Sequence, residues 1–123
     1  MLLKNGVKIC LAIGDTWSVL DPKEFVERLV ILSKESRPKA IDMVYKLDIL
    51  LEAGEFNYFS SVIDHLLNVD DVEGSIHLSF LTVMLPFQEK LEETYKKLRN
   101  HTYNKLTEKY DEEYAAKCLV GFL

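Results

Sequence analysis

The chain has 123 residues, which is close to the common size of one domain, and no low-complexity run or linker divides it. Its hydrophobic fraction of 48% and charged fraction of 28% are those of an ordinary folded globule and exclude a disordered chain. The net charge of −5 disfavours a generic nucleic-acid binder, because such a protein needs a basic face to displace counterions from phosphates. We therefore expect a single helical domain over residues 1–123, with residues 1–20 as a strand or hairpin that leads into it.

The sequence predicts neither export nor a membrane span. An apolar patch near the N-terminus is interrupted by Asn5-Gly6 and Lys8, and no small-residue cleavage site follows it. No apolar run reaches the roughly 20 residues that cross a bilayer. We expect a cytoplasmic protein without a membrane partner.

The first predicted element is a strand. Apolar side chains alternate with other residues over positions 7–13, which is the period of a half-buried strand. Asn5-Gly6 favours a tight hairpin turn before it, with Met1–Lys4 as the first arm. Thr16–Val19 can add another strand.

The first helix has clear start and stop signals. Asp21 can cap it, Pro22 takes the first helical position, and Glu24 completes a variant of the capping box. Ser36-Arg37-Pro38 ends it, because the residue before a proline avoids helical backbone angles.

A helical hairpin follows. The second helix starts at Pro38, and Gly54 can end it in a left-handed conformation. The third helix runs from Phe56 to Leu67, and a connection this short places the two helices antiparallel and adjacent.

The fourth helix is the most informative segment. Nine of the twelve residues after Ser75 are apolar or proline, and they are spread all round the helix. A helix of this kind has to be buried on every side, which predicts a central position. Ser75 can cap this helix, and Pro86 ends or kinks it.

The fifth helix is predicted from Pro86 to Lys109 and a last helix from Asp111, which can cap it. The inner stripe of the fifth helix consists of Phe87, Leu91, Tyr95, Leu98 and Leu106. The expected fold is mainly α. It is a compact bundle of five or six helices around a buried central helix, with a short N-terminal β-hairpin or strand.

Two resemblances bear on this architecture. The Gly54-Glu55-Phe56 turn resembles that of a tetratricopeptide-type hairpin, but Leu47 and Phe59 stand where that family needs small residues and no second copy follows. We therefore favour a generic helical hairpin. The segments LLEAGEF, FLTVMLPFQEKL and EEYAAKCLVGFL resemble small helical proteins of unknown function from bacteria and phages. This second resemblance implies a fold and no activity.

The sequence contains no motif for catalysis, metal binding or a cofactor, so we expect none of these and no enzymatic activity. His77 is expected to be a hydrogen-bonded core residue, whereas His65 and His101 are expected to be exposed. Cys10 and Cys118 lie among apolar residues, which favours two reduced core thiols over a bridge between the two ends of the chain.

The candidate binding site is the outer face of the fifth helix, where basic and aromatic residues are interleaved. This mixture suits an acidic protein partner or single-stranded nucleic acid. The alternative is a solvated helix surface balanced by Glu92, Glu93 and Glu108. The residues expected to bind a partner are Lys96, Arg99, Tyr103 and Tyr110.

The sequence therefore predicts a non-enzymatic protein-interaction module that inhibits, recruits or scaffolds one protein partner and is encoded by a phage or another mobile element. The second hypothesis is a small nucleic-acid-associated protein that uses the same basic and aromatic face. An enzyme with a site assembled from scattered residues is the third. The oligomeric state is left open.

Overall fold

The computed structural model describes residues 21–122 and the backbone of residues 10–13 and 16–19. In this part of the chain, two strands precede seven helical segments. The strands are β1 (Cys10–Ile13) and β2 (Thr16–Val19), and the helices are α1 (Pro22–Glu35), α2 (Arg37–Tyr45), α3 (Asp48–Glu52), α4 (Phe56–Leu67), α5 (Gly74–Met84), α6 (Glu92–Lys109) and α7 (Glu112–Leu119). Two short 3-10 turns, Leu85–Phe87 and Val120–Phe122, follow α5 and α7. The predicted mainly-α fold is confirmed.

The two strands pair antiparallel, with Cys10 opposite Val19 and Ile13 opposite Thr16. The second half of the strand predicted over residues 7–13 is thus observed, and so is the strand at Thr16–Val19. The hairpin predicted around Asn5-Gly6, with Met1–Lys4 as its arm, lies outside the described residues.

The core is built around α5, which packs between α2 and α6. Helix α1 packs on α2 and α4, α4 also contacts α6, and α7 lies on α6. On α5, Ile76, Phe80 and Leu81 have no exposed surface, and the Phe80 ring meets the Phe59 ring of α4 edge-on at a centroid distance of 6.1 Å. The prediction of a buried central helix is confirmed.

Two of the three predicted N-terminal helix caps form. A carboxylate oxygen of Asp21 accepts a hydrogen bond of 2.7 Å from the Glu24 backbone N–H, and Asp111 accepts one of 2.7 Å from Tyr114 N–H. The predicted cap at Ser75 is wrong, because α5 already begins at Gly74. The missing side chain of Gly74 allows α5 to approach α6, since a Cβ there would lie only 2.8 Å from a methyl carbon of Leu106.

Two helix boundaries also differ from the prediction. The predicted second helix is divided into α2 and α3 at Lys46 and Leu47, where the backbone stays right-handed but the Leu47 N–H bonds to the carbonyl of Val44, three residues back. This tighter turn buries Leu47 completely.

The helix predicted as the fifth, α6, starts at Glu92 and not at Pro86, which lies in the 3-10 turn after α5. Proline has no N–H to give to a helical bond, so Pro86 does end the central helix, as predicted.

Candidate functional site

The inner side of α6 faces the core. Its buried residues recur every three or four positions, as a helix packed on one side requires, and they are Tyr95, Leu98, Thr102 and Leu106. Leu91, just before the helix, is also buried, whereas Phe87 is half-buried. This packing leaves Lys96, Arg99 and Tyr103 on the outer side of α6, where Arg99 and Tyr103 lie beside α7.

Lys96 lies at the start of this outer side and is exposed. Its ammonium group is 3.0 Å from the carboxylate of Glu92, one turn earlier on the same helix. An exposed pair of this kind adds a few tenths of a kcal/mol. Lys96 therefore behaves as part of a solvated helix surface.

Arg99 is held against the end of the chain. Its guanidinium lies 5.9 Å from the centroid of the Tyr95 ring and donates a hydrogen bond of 3.5 Å to the Phe122 carbonyl. The Tyr95 hydroxyl donates to the same carbonyl at 2.7 Å. Burial raises the pKa of Tyr95, so its hydroxyl stays protonated and keeps donating at neutral pH.

Arg99 and Tyr103 share a groove between α6 and α7. The groove has a volume of about 290 Å³ and is lined by Arg99, Asn100, Tyr103, Ala116 and Leu119. Leu119 is 2% exposed and closes the groove toward the core, whereas Tyr103 keeps 37% of its surface exposed. The arrangement places an apolar surface beside the donor groups of an arginine, an asparagine and a tyrosine.

Tyr110 lies elsewhere, at the end of α6. Its ring lies against that of Tyr114 in a tilted arrangement with a centroid distance of 4.4 Å, and the Lys109 ammonium lies 5.6 Å from the Tyr110 centroid. Cys118, one turn further along α7, has a half-buried thiol, and this neighbouring group raises the pKa of Tyr114. The structure thus brings Arg99 and Tyr103 together and places Tyr110 in a separate aromatic pair. Of the two cysteines, only Cys118 can be compared with the prediction, because the side chain of Cys10 is outside the described part.

Two further lysines of α6 tie this helix to other elements. The Lys97 ammonium is 3.3 Å from a carboxylate oxygen of Asp64 on α4. The Lys105 ammonium donates a hydrogen bond of 2.6 Å to the backbone carbonyl of Asp70, in the loop before α5. These lysines stabilise the packing of α6 on its neighbours.

The sequence prediction missed a pair of histidines at the contact between α5 and α6. The rings of His77 and His101 lie 5.3 Å apart, and both Nε2 atoms are buried without a hydrogen-bond partner among the described residues. His77 is fully buried and hydrogen-bonded through Nδ1, as predicted, but His65 and His101 are half-buried and not exposed as predicted. No sequence period relates the two positions, so only the packing of the helices shows the pair.

Within residues 21–122 and the two described strands, no three His, Cys, Asp or Glu side chains come together in a way that suits a metal ion. None of the helices described there has both the length and the apolar content needed to cross a membrane. The chain matches no protein family, no curated protein and no solved structure.

Proposed function

We propose that this protein is a non-enzymatic interaction module that inhibits, recruits or scaffolds one protein partner through the groove between α6 and α7. The observation that carries the proposal is the position of Tyr103 and Arg99 at the edge of an apolar surface that contains Leu119. Tyrosine and arginine are enriched at binding hot spots, which cluster where an apolar pocket is surrounded by polar groups. An origin in a phage or another mobile element is part of the proposal and rests on the resemblance of the second half of the chain.

The groove indicates the chemistry of the partner. A volume of about 290 Å³ is at the lower end of small-molecule pockets, which span roughly 300–1,000 Å³, and suits one large apolar side chain. The guanidinium of Arg99 now donates to a neutral carbonyl at the long distance of 3.5 Å. A carboxylate would be a stronger acceptor, because charge-assisted hydrogen bonds are shorter and stronger than neutral ones. The proposed partner therefore presents an apolar residue next to an acidic one.

Replacing Tyr103 and Arg99 tests the proposal. The tagged protein captures the partner from native cell extract, the partner is purified, and its affinity is titrated for wild type, Tyr103→Ala and the double variant Arg99→Ala/Tyr103→Ala. We expect the double variant to lose about thirtyfold or more in affinity, since a central tyrosine or arginine contributes about 2 kcal/mol.

Lys96→Ala is the matched control, because Lys96 is a basic residue of the same helix that lies outside the groove. It should bind with wild-type affinity, and melting temperatures should show that all variants are folded. Wild-type affinity of the double variant would place the binding surface elsewhere.

The nucleic-acid hypothesis has weaker support. Lys96 and Lys97 each lie beside a carboxylate, and Lys105 bonds to a backbone carbonyl, so much of the positive charge of α6 is engaged within the protein. A nucleic-acid binder would show an affinity that falls steeply with salt, with a slope of about −0.7 per phosphate contacted on a single strand. A protein partner held mainly by the apolar groove would show a much shallower dependence.

A further inference from the structure

The neutral form of His77 is specified by its surroundings. Its Nδ1 lies 3.1 Å from the backbone carbonyl of Glu73, and a carbonyl can only accept a hydrogen bond. The proton of the neutral ring is therefore on Nδ1, and Nε2 carries a lone pair. This Nε2 is buried and has no hydrogen-bond partner among the described residues.

The environment around the pair opposes a positive charge. The tilted ring of His101 on α6 lies against His77, and the Nε2 of His101 is also buried and without a partner in the described part. Lys105, one turn further along α6, places a positive charge near both rings. The acidic groups Asp70 and Glu108 act on His101 and oppose this effect there. On the other side of α5, the buried residues of α2 are Ala40, Met43 and Val44, none of which titrates.

We propose that the His77–His101 pair makes the contact between α5 and α6 acid-sensitive, so that protonation of His77 at Nε2 opens this contact. The new N–H would be a charged donor in a buried position, beside a second imidazole and a lysine. A charged group without a partner is expensive to bury, whereas in the opened form water satisfies it. This inference stands independently of the proposed binding groove.

Opening would also release the loop before α5. The Lys105 ammonium holds the Asp70 carbonyl of this loop at 2.6 Å. Gly74, the first residue of α5, lies directly against Leu106 of α6. Separation of α5 from α6 at the histidines therefore exposes both contacts, and the segment from residue 68 to residue 77 loses its support on α6.

The sign of the pH dependence follows from the direction of the shift. Burial, with smaller effects of His101 and Lys105, lowers the pKa of His77 from 6.5 to about 4, although the hydrogen bond to the Glu73 carbonyl acts in the opposite direction. Between these values the unfolded or opened chain binds a proton that the closed form does not, so the full stability is present above about pH 6.5 and is lost as the pH falls. Each unit by which the pH falls raises the opening constant by up to about tenfold. Over the whole interval from pH 6.5 to about 4, the opening constant rises by up to about 300-fold. The pKa of His101 is lowered too, mainly by burial, and adds in the same direction.

The experiment compares the full chain with His77→Asn and with a matched control, His65→Asn. Asparagine can keep the donor to the Glu73 carbonyl but does not titrate. His65 is a half-buried histidine on α4 outside the pair. Urea unfolding of the three proteins is measured between pH 7.5 and 5.0, and the histidine ring signals are titrated by NMR. The carboxylates contribute equally to the pH dependence of all three proteins. The difference in pH dependence between wild type and His77→Asn therefore reports the contribution of His77.

Below pH 6.5, the unfolding constants of wild type and His65→Asn should rise as the pH falls. For each pH unit, we expect this rise to exceed that of His77→Asn by up to about tenfold. Amide protection should fall at pH 5 first in α5, in the loop of residues 68–73 and in the facing half of α6. If His77→Asn keeps the wild-type pH dependence, or if the His77 ring titrates at pH 6.5 or above in the folded protein, the proposal is wrong. If His77→Asn does not fold, the NMR titration and the amide protection of the wild-type chain still decide between these outcomes.

Discussion

At the scale of single residues, Gly54 determines how the chain leaves α3. Its φ angle is 80°, in the left-handed region that other residues rarely adopt. The Glu55 N–H bonds to the Leu50 carbonyl at 2.9 Å, and the Gly54 N–H bonds to the Leu51 carbonyl at 3.0 Å. These two bonds form a Schellman motif, which satisfies the last carbonyls of the helix and directs the chain into α4.

Substitution of Gly54 should therefore depend on the cost of a left-handed backbone. Gly54→Val should lower the free energy of unfolding by at least about 1–2 kcal/mol, and Gly54→Asn should lower it less, because asparagine tolerates this conformation. Urea unfolding measures both. Gly121→Ala is the control, since no atom of the described residues beyond its own stretch of chain lies within 4 Å of the added carbon, and its effect should stay within about 0.5 kcal/mol. Equal stabilities for the Val and Asn variants would contradict this account.

At the scale of elements, α7 packs on α6, and the turn after it is held to α6 by hydrogen bonds. Ala115 and Leu119 are the buried residues of α7, and the carbonyl of Phe122 is held by the Tyr95 hydroxyl at 2.7 Å. The same carbonyl accepts from Arg99. Because one wall of the proposed binding groove is α7, these contacts also set the width of the groove.

Tyr95→Phe removes one hydrogen bond without changing the ring. The expected loss of stability is about 0.5–1.5 kcal/mol, with the amides of α7 exchanging faster while those of α1 and α4 keep their protection. Hydrogen exchange measured residue by residue checks this. Tyr103→Phe makes the same chemical change on the exposed ring of the groove and should leave α7 unaffected. Unchanged exchange in α7 of Tyr95→Phe would show that packing alone holds this helix.

At the scale of the whole molecule, one cluster of buried side chains connects the helices. It extends from Phe25 and Leu29 of α1 through Phe59 of α4 and Phe80 of α5 to Leu119 of α7. On α5, Phe80 and Val83 are 0% and 7% exposed, as a helix without a polar side predicts. Because every helix contributes to the same core, the helices should unfold together.

Phe80→Ala tests this core directly. The truncation should cost about 3–5 kcal/mol, because it removes a fully buried ring and leaves a cavity between α4 and α5. Urea unfolding should remain a single transition that moves to lower concentration with the same slope. Val120→Ala, at a side chain that is 71% exposed, should change little. A loss below about 1 kcal/mol for Phe80→Ala would show that α5 is not the centre of the fold.

The sequence by itself determined the features that depend on neighbouring residues. The caps at Asp21 and Asp111, the left-handed Gly54 and the end of the central helix at Pro86 are local, because each depends on backbone groups within a few positions. The burial of α5 was also predictable, since a helix that is apolar on all sides has no polar face that water can solvate favourably.

The tertiary structure alone decided the features that depend on contacts between distant segments. The break between α2 and α3 places Leu47 in the shared core, and the start of α5 at Gly74 allows this helix to lie directly against Leu106. The groove of Arg99 and Tyr103 exists because α7 folds back on α6, and the histidine pair exists because α5 and α6 pack at one register. Hydrophobic periodicity shows which side of a helix is buried, but it carries no information on which helix will cover it.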